Sequence, residues 1–76
     1  MEELVEAIAK SLVDHPEAVT VKAVAGKQET IIELRVASDD MGKVIGKQGR
    51  IAKAIRTVVK AAAARSNQKV VVEIMQ

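Results

Sequence analysis

The apolar residues of this chain change period in a fixed order: helix, strand, strand, helix, helix, strand. From Glu2 to Asp14, Leu4, Val5, Ile8, Leu12 and Val13 share one helical stripe. Pro16 disfavours helical geometry at His15, so this helix is expected to stop by Asp14 or His15. Val19, Val21 and Ala23 then alternate with Thr20 and Lys22, and Ile32, Leu34 and Val36 alternate with Glu33 and Arg35. The connection Ala25-Gly26-Lys27-Gln28 predicts an antiparallel hairpin. Ser38 reads as an N-cap, with Asp39 and Asp40 in the first turn of a short helix ending near Val44 or Ile45. The helical period resumes with Ile51, Ala54, Ile55, Val58, Val59 and Ala62. A last strand, 69–75, carries Val70, Val72 and Ile74 on one face. Two helices separate the second strand from the third, a crossover long enough for parallel pairing. The expected fold is α+β, with a three-stranded mixed sheet covered on one face by three helices.

The core that closes this sheet must be aliphatic. Seventy-six residues suffice for one domain, read as 1–76, and a chain this short buries only about 60% of its unfolded surface. It has no cysteine to staple it and no Phe, Tyr or Trp to fill it. Glu2, Glu3 and Glu6 stand where a signal peptide would be basic, and no apolar run nears the roughly 20 residues of a membrane span. A cytoplasmic protein without membrane contact is expected. Catalysis is not, because the lone histidine, His15, has no evident partner. Asp39 and Asp40 read as capping residues rather than metal ligands, and no residue cluster calls for a cofactor.

Charge is sorted along the chain. Seven bases and no acid lie between Met41 and Arg65, while all ten acids and five bases lie outside it. A positive segment of this kind suits a polyanion, because each neutralised phosphate releases counterions. Within it runs Gly42-Lys43-Val44-Ile45-Gly46-Lys47-Gln48-Gly49-Arg50-Ile51. Two glycines bracketing two polar residues let the backbone approach a ligand closely, and the next helix begins there with free N–H groups. A nucleotide-hydrolase phosphate loop does not fit: the Gly42 to Lys47 spacing is one residue short, and Gln48 replaces the metal-binding Ser or Thr. Three strand patterns argue against a DNA-reading helix–turn–helix, which is usually all-helical.

Val44-Ile45-Gly46-Lys47-Gln48-Gly49-Arg50-Ile51 resembles the signature of KH domains, whose GXXG loop clamps single-stranded nucleic-acid backbone. The element order resembles the type II arrangement of that fold, and the whole chain resembles the small stand-alone bacterial KH proteins of the KhpA family. The resemblance implies RNA binding with broad sequence tolerance and a role in post-transcriptional regulation. It also implies a homodimer and pairing with a larger protein of the Jag or KhpB family. Gly46, Lys47, Gln48 and Gly49 are expected to hold phosphates, with Lys43, Arg50 and Lys53 beside them. Ile45 is expected to face the bases, with Val36, Val44 and Ile51 as further candidates for the groove floor. Single-stranded DNA fits the same groove. Val58 or Val59 is a candidate for self-association. A module that keeps this fold for protein interaction alone would need neither the loop nor the one-sided charge.

Without aromatic side chains, RNA-recognition motifs and most OB-folds are excluded, along with the base stacking they supply. That stacking is worth on the order of 1–3 kcal/mol per base. Binding by one copy is therefore expected to be weak, salt-dependent and tolerant of sequence.

Overall fold

The computed structural model describes residues 1–75. Helix α1 spans Glu2–Leu12. A 3₁₀ turn at Pro16–Ala18 leads into β1 (Thr20–Ala25) and then β2 (Thr30–Arg35). A second 3₁₀ turn at Ser38–Asp40 leads into α2 (Met41–Ile45). A third at Lys47–Gly49 joins it to α3 (Arg50–Arg65), and β3 (Val70–Met75) closes the described chain. The sheet order is β1-β2-β3, with β1 antiparallel and β3 parallel to the central β2. The α+β architecture with a mixed three-stranded sheet is thus the one expected from the periodicities.

The central strand holds the core. Ile32 and Leu34 of β2 are fully buried, flanked by Val72 of β3 and covered by Val5, Ala9, Val44, Ile55 and Val59 from the helices. Alternation on a strand sends the intervening side chains to the other face. There Glu33 pairs in register with Lys22 on one side and Glu73 on the other. The hairpin closes where the Gly26 N–H donates to the Glu29 carbonyl at 2.7 Å. The β1 strand is the least covered: Val19 before it is buried and Val21 half-buried, but Ala23 is exposed.

Three details depart from the sequence reading. Helix α1 stops at Leu12, because Val13 is already extended (φ −99°, ψ 160°). Ser38 caps nothing with its side chain, and α2 starts only at Met41. Helix α3 buries Ala52, Ile55, Val59 and Ala63, leaving Ala54 and Val58 exposed. Its apolar residues span a wider arc than one sheet can cover, so one flank remains outside the core.

Candidate nucleic-acid interface

Helix α2 is short because Gly46 ends it, and the geometry of the following loop explains both glycines. Gly46 has φ 76° and ψ 174°. A Cβ placed on Gly46 would come within 2.5 Å of Ile51 Cγ1, so the loop can fold back onto α3 only with glycine there. Gly49 sits at φ 73°, ψ 15°, in the left-handed region, with open space around it. Between them Gln48 also has positive φ (59°, ψ 25°), which L side chains adopt at some cost.

These turns dispose of some backbone donors and leave others. The Gly46 N–H donates to the Gly42 carbonyl at 2.8 Å and the Gly49 N–H to the Gly46 carbonyl at 3.1 Å. Among the described residues, the N–H groups of Lys47 and Gln48 have no backbone partner. Helix α3 then opens without a side-chain cap and without an acid in its first turn. The Arg50 N–H donates to the Lys47 carbonyl, and the positive dipole end of α3 faces the loop with no acid to offset it. Arg50 and Lys53 stand in that same turn, where a cation is ordinarily unfavourable by about 0.3–1 kcal/mol. A bound anion removes this conflict. Arg50 reaches only the Gln48 side-chain oxygen, at 3.4 Å, and Lys47 and Lys53 are exposed, with no ion pair among the described residues.

Other expected site residues are placed differently. Val36 and Val44 are closed into the core, so neither can form a groove floor; Ile45 and Ile51 are half-buried. Lys43 is held by two acids from outside its positive segment. It donates to Asp14 and lies 3.6 Å from Asp40. The hydrogen bond to Asp14 pushes the Lys43 ammonium above its usual range; burial opposes this, and the charges of Asp14 and Asp40 reinforce it. Lys43 is thus less available to a phosphate than Lys47 or Lys53.

Asp40 has a role that the sequence reading missed. It is fully buried, and its carboxylate accepts the Asp14 N–H at 3.2 Å and the His15 N–H at 3.0 Å. Burial alone would push its carboxyl up. The two N–H donors, with the charges of His15 and Lys43, outweigh that and hold it below the usual carboxylate range. Asp40 thereby ties the turn after α1 to the start of α2, the helix that carries the loop. No sequence signal separates it from an ordinary capping aspartate, because its donors lie 25 and 26 residues away.

Beginning beside the loop, α1 and α3 enclose a shallow apolar groove of about 280 Å³, lined by Ile8, Leu12, Arg50, Ile51, Ala54, Ile55 and Val58. Val58 is 47% exposed, whereas Val59 is fully buried. Among the described residues no cluster of His, Asp or Glu is placed to hold a metal ion, and no helix is long and apolar enough to cross a membrane.

A three-stranded mixed sheet under three helices, with a two-glycine loop joining the second helix to the third, defines a KH domain of the type II order. The sequence profile of the family described as KhpA/KhpB, KH domain, matches residues 2–74, and the chain belongs to that family. It is 71% identical over 75 residues to the RNA-binding protein KhpA of Clostridium perfringens, covering 99% of this chain and 100% of that one. The KhpA of Clostridium acetobutylicum is 67% identical over the same shares, and that of Borreliella burgdorferi 51% identical over 96% of this chain and 89% of its own. Among solved structures, Aquifex aeolicus Era bound to GDP and aluminium fluoride aligns with a TM-score of 0.59 over 96% of this chain and 28% of Era. Era in complex with MgGDPNP and nucleotides of 16S ribosomal RNA gives 0.60 over the same shares. Both are 23% identical to this chain, a likeness of fold alone.

Proposed function

We propose that this protein binds single-stranded RNA, gripping its phosphates with the backbone of Gly46-Lys47-Gln48-Gly49 and the N-terminus of α3. One observation carries the reading. The N–H groups of Lys47 and Gln48 take no backbone partner and α3 starts without a side-chain cap, inside a 25-residue segment that holds seven bases and no acid. Lys47, Arg50 and Lys53 neutralise the phosphates, Lys43 contributes less, and Ile45 borders the path of the bases. The relatives named as RNA-binding proteins support the same ligand. Recognition through backbone is tolerant of sequence, strongly salt-dependent, and open to single-stranded DNA. A role in post-transcriptional regulation belongs to the same proposal, supported by the chain's family. The test replaces Lys47 and Gln48 together by aspartate. Binding to labelled single-stranded RNA, read by fluorescence anisotropy at two salt concentrations, should collapse while the thermal melt stays nearly unchanged; intact binding overturns the site.

A second reading concerns assembly, and here the exposed apolar flank of α3 is the motivating observation. Ile8, Leu12, Ala54 and Val58 offer a surface for a second copy, or for the KH domain of a larger Jag or KhpB protein. Val59 is excluded from it by burial. Two loops on one dimer raise affinity through effective concentration when the RNA spans both. Sedimentation of the free chain should show a dimer that Val58→Asp dissociates; a monomeric wild-type chain sinks the homodimer.

A further inference from the structure

The loop accounts for only part of the positive charge. From Lys53 at the edge of the loop, Arg56 and Lys60 follow at i+3 and i+7 on one side of α3, the flank opposite the apolar groove. Arg56 fixes where that flank faces, since its Nε donates to the Val72 carbonyl of β3 at 3.3 Å. The basic row therefore runs along the junction of α3 with β3, leading away from the loop.

At the far end of the row the chain turns back in a tight, fully bonded cap. Asn67 adopts positive φ (55°), the Asn67 N–H donates to the Ala64 carbonyl at 3.1 Å, and the Gln68 N–H to the Ala63 carbonyl at 2.9 Å. This two-bond cap sets Gln68 and Lys69 beside the last turns of the helix. The result is a shallow pocket of about 300 Å³ lined by Lys60, Ala64, Gln68, Lys69, Val70 and Val71. Its floor is apolar, its rim holds two ammonium groups and one amide, and no carboxylate pairs with either lysine among the described residues. Lys60 lies eleven residues beyond Gly49, about 16 Å along the helix.

We infer that this pocket is a second RNA subsite: RNA leaving the loop follows the Lys53–Arg56–Lys60 flank and seats a nucleotide against Ala64, Val70 and Val71. Lys60 and Lys69 take the adjoining phosphates, and Gln68 supplies donors and acceptors to a base edge. Charge complementarity and continuity select the occupant. An apolar protein segment would leave the two ammonium groups at the rim unpaired; an acidic peptide would pair with them, but only a strand already held at the loop reaches the pocket along the row of cations as part of the same binding event. The inference rests on the RNA-binding reading of the loop and lengthens the bound strand beyond the roughly four nucleotides that a GXXG loop clamps.

The experiment compares single-stranded oligouridylates of four and ten nucleotides on the wild type, on Lys60→Ala with Lys69→Ala, and on the loop variant Lys47→Asp with Gln48→Asp. In the wild type the longer strand should bind more tightly. The Lys60/Lys69 variant should lose that gain, hold the four-nucleotide strand as before, and show a salt slope shallower by about 1.4 on the longer strand. Between 50 and 200 mM salt this is about a sevenfold smaller loss of affinity. Both lysines are exposed, so the variant should melt as the wild type does. Equal binding of both lengths by the wild type, or a ten-nucleotide affinity untouched by the lysine changes, overturns the subsite. A loop variant that still binds both strands overturns the loop reading instead.

Discussion

The two ends of α2, a helix of five residues, are built on opposite principles. At its entry Asp40 is sealed from water, and its carboxylate accepts the Asp14 and His15 N–H groups and faces the Lys43 ammonium. At its exit, Gly46, Gln48 and Gly49 turn through positive φ and leave the Lys47 and Gln48 N–H groups without a backbone partner. A buried charge is tolerated only when its partners are complete, whereas a binding loop is useful because its partners are missing. One end fixes the helix, and the other presents what the helix carries.

Breaking the satisfied end should have the largest effect. Asp40→Ala leaves two inward N–H groups without an acceptor and is expected to lower the melting temperature more than any other single change considered. Asp40→Asn should fall between, because an amide oxygen still accepts one of the bonds. The same carboxylate gives a pH signature. Its folded pKa is depressed, so its contribution is complete above the unfolded value of about 3.9 and is lost as pH falls through the lower folded value. Melts of the wild type should therefore steepen with acid below about pH 4, and Asp40→Asn should be flatter over that window. Equal slopes would remove Asp40 from this role.

Next come the two glycines, which share a positive φ but not their surroundings. Gly46→Ala combines left-handed strain with a clash against Ile51 and should destabilise by about 3 kcal/mol. Gly49→Ala meets no atom within 4 Å and should cost only the strain, about 1 kcal/mol. Denaturant titrations that rank them equally would show that the loop is not seated on Ile51. The smallest effect is expected at Gln48. Gln48→Gly relieves about 1 kcal/mol of left-handed strain and frees the unfolded chain by about 0.5 kcal/mol, for a net gain of about 0.5 kcal/mol. RNA affinity should persist in this variant, because the backbone N–H stays.

How much of this the sequence disclosed depended on the range of each interaction. Periods of two and near four lie within a few residues, so all six elements could be read from local patterns of Val, Ile, Leu and Ala, with Pro16 and Gly26 marking breaks between them. The loop was legible for the same reason, since Gly46 and Gly49 act locally. Asp40 was not, because its donors are remote and its sequence neighbourhood looks like a common cap. The ion pairs of Lys43 were hidden similarly: a count of charges along the chain cannot see Asp14 folding back on it. Val36 and Val44 have the hydrophobicity of a groove floor and of a core alike, and only packing separates the two. Nor could periodicity tell which of the adjacent Val58 and Val59 the core would bury.

Helix α3 is pinned at three points: Ile51 against Gly46 at its start, Arg56 on the Val72 carbonyl midway, and the Asn67 cap at its end. Together with the burial of Ala52, Ile55, Val59 and Ala63, these contacts set which way each flank of the helix faces. Its apolar and basic flanks therefore address separate partners without one being turned away as the other is engaged. For a molecule of this size the consequence is thermodynamic independence: occupancy of one flank should leave intrinsic affinity at the other unchanged. Cooperation between copies would then come from how they are arranged along a strand, not from any change of shape within each.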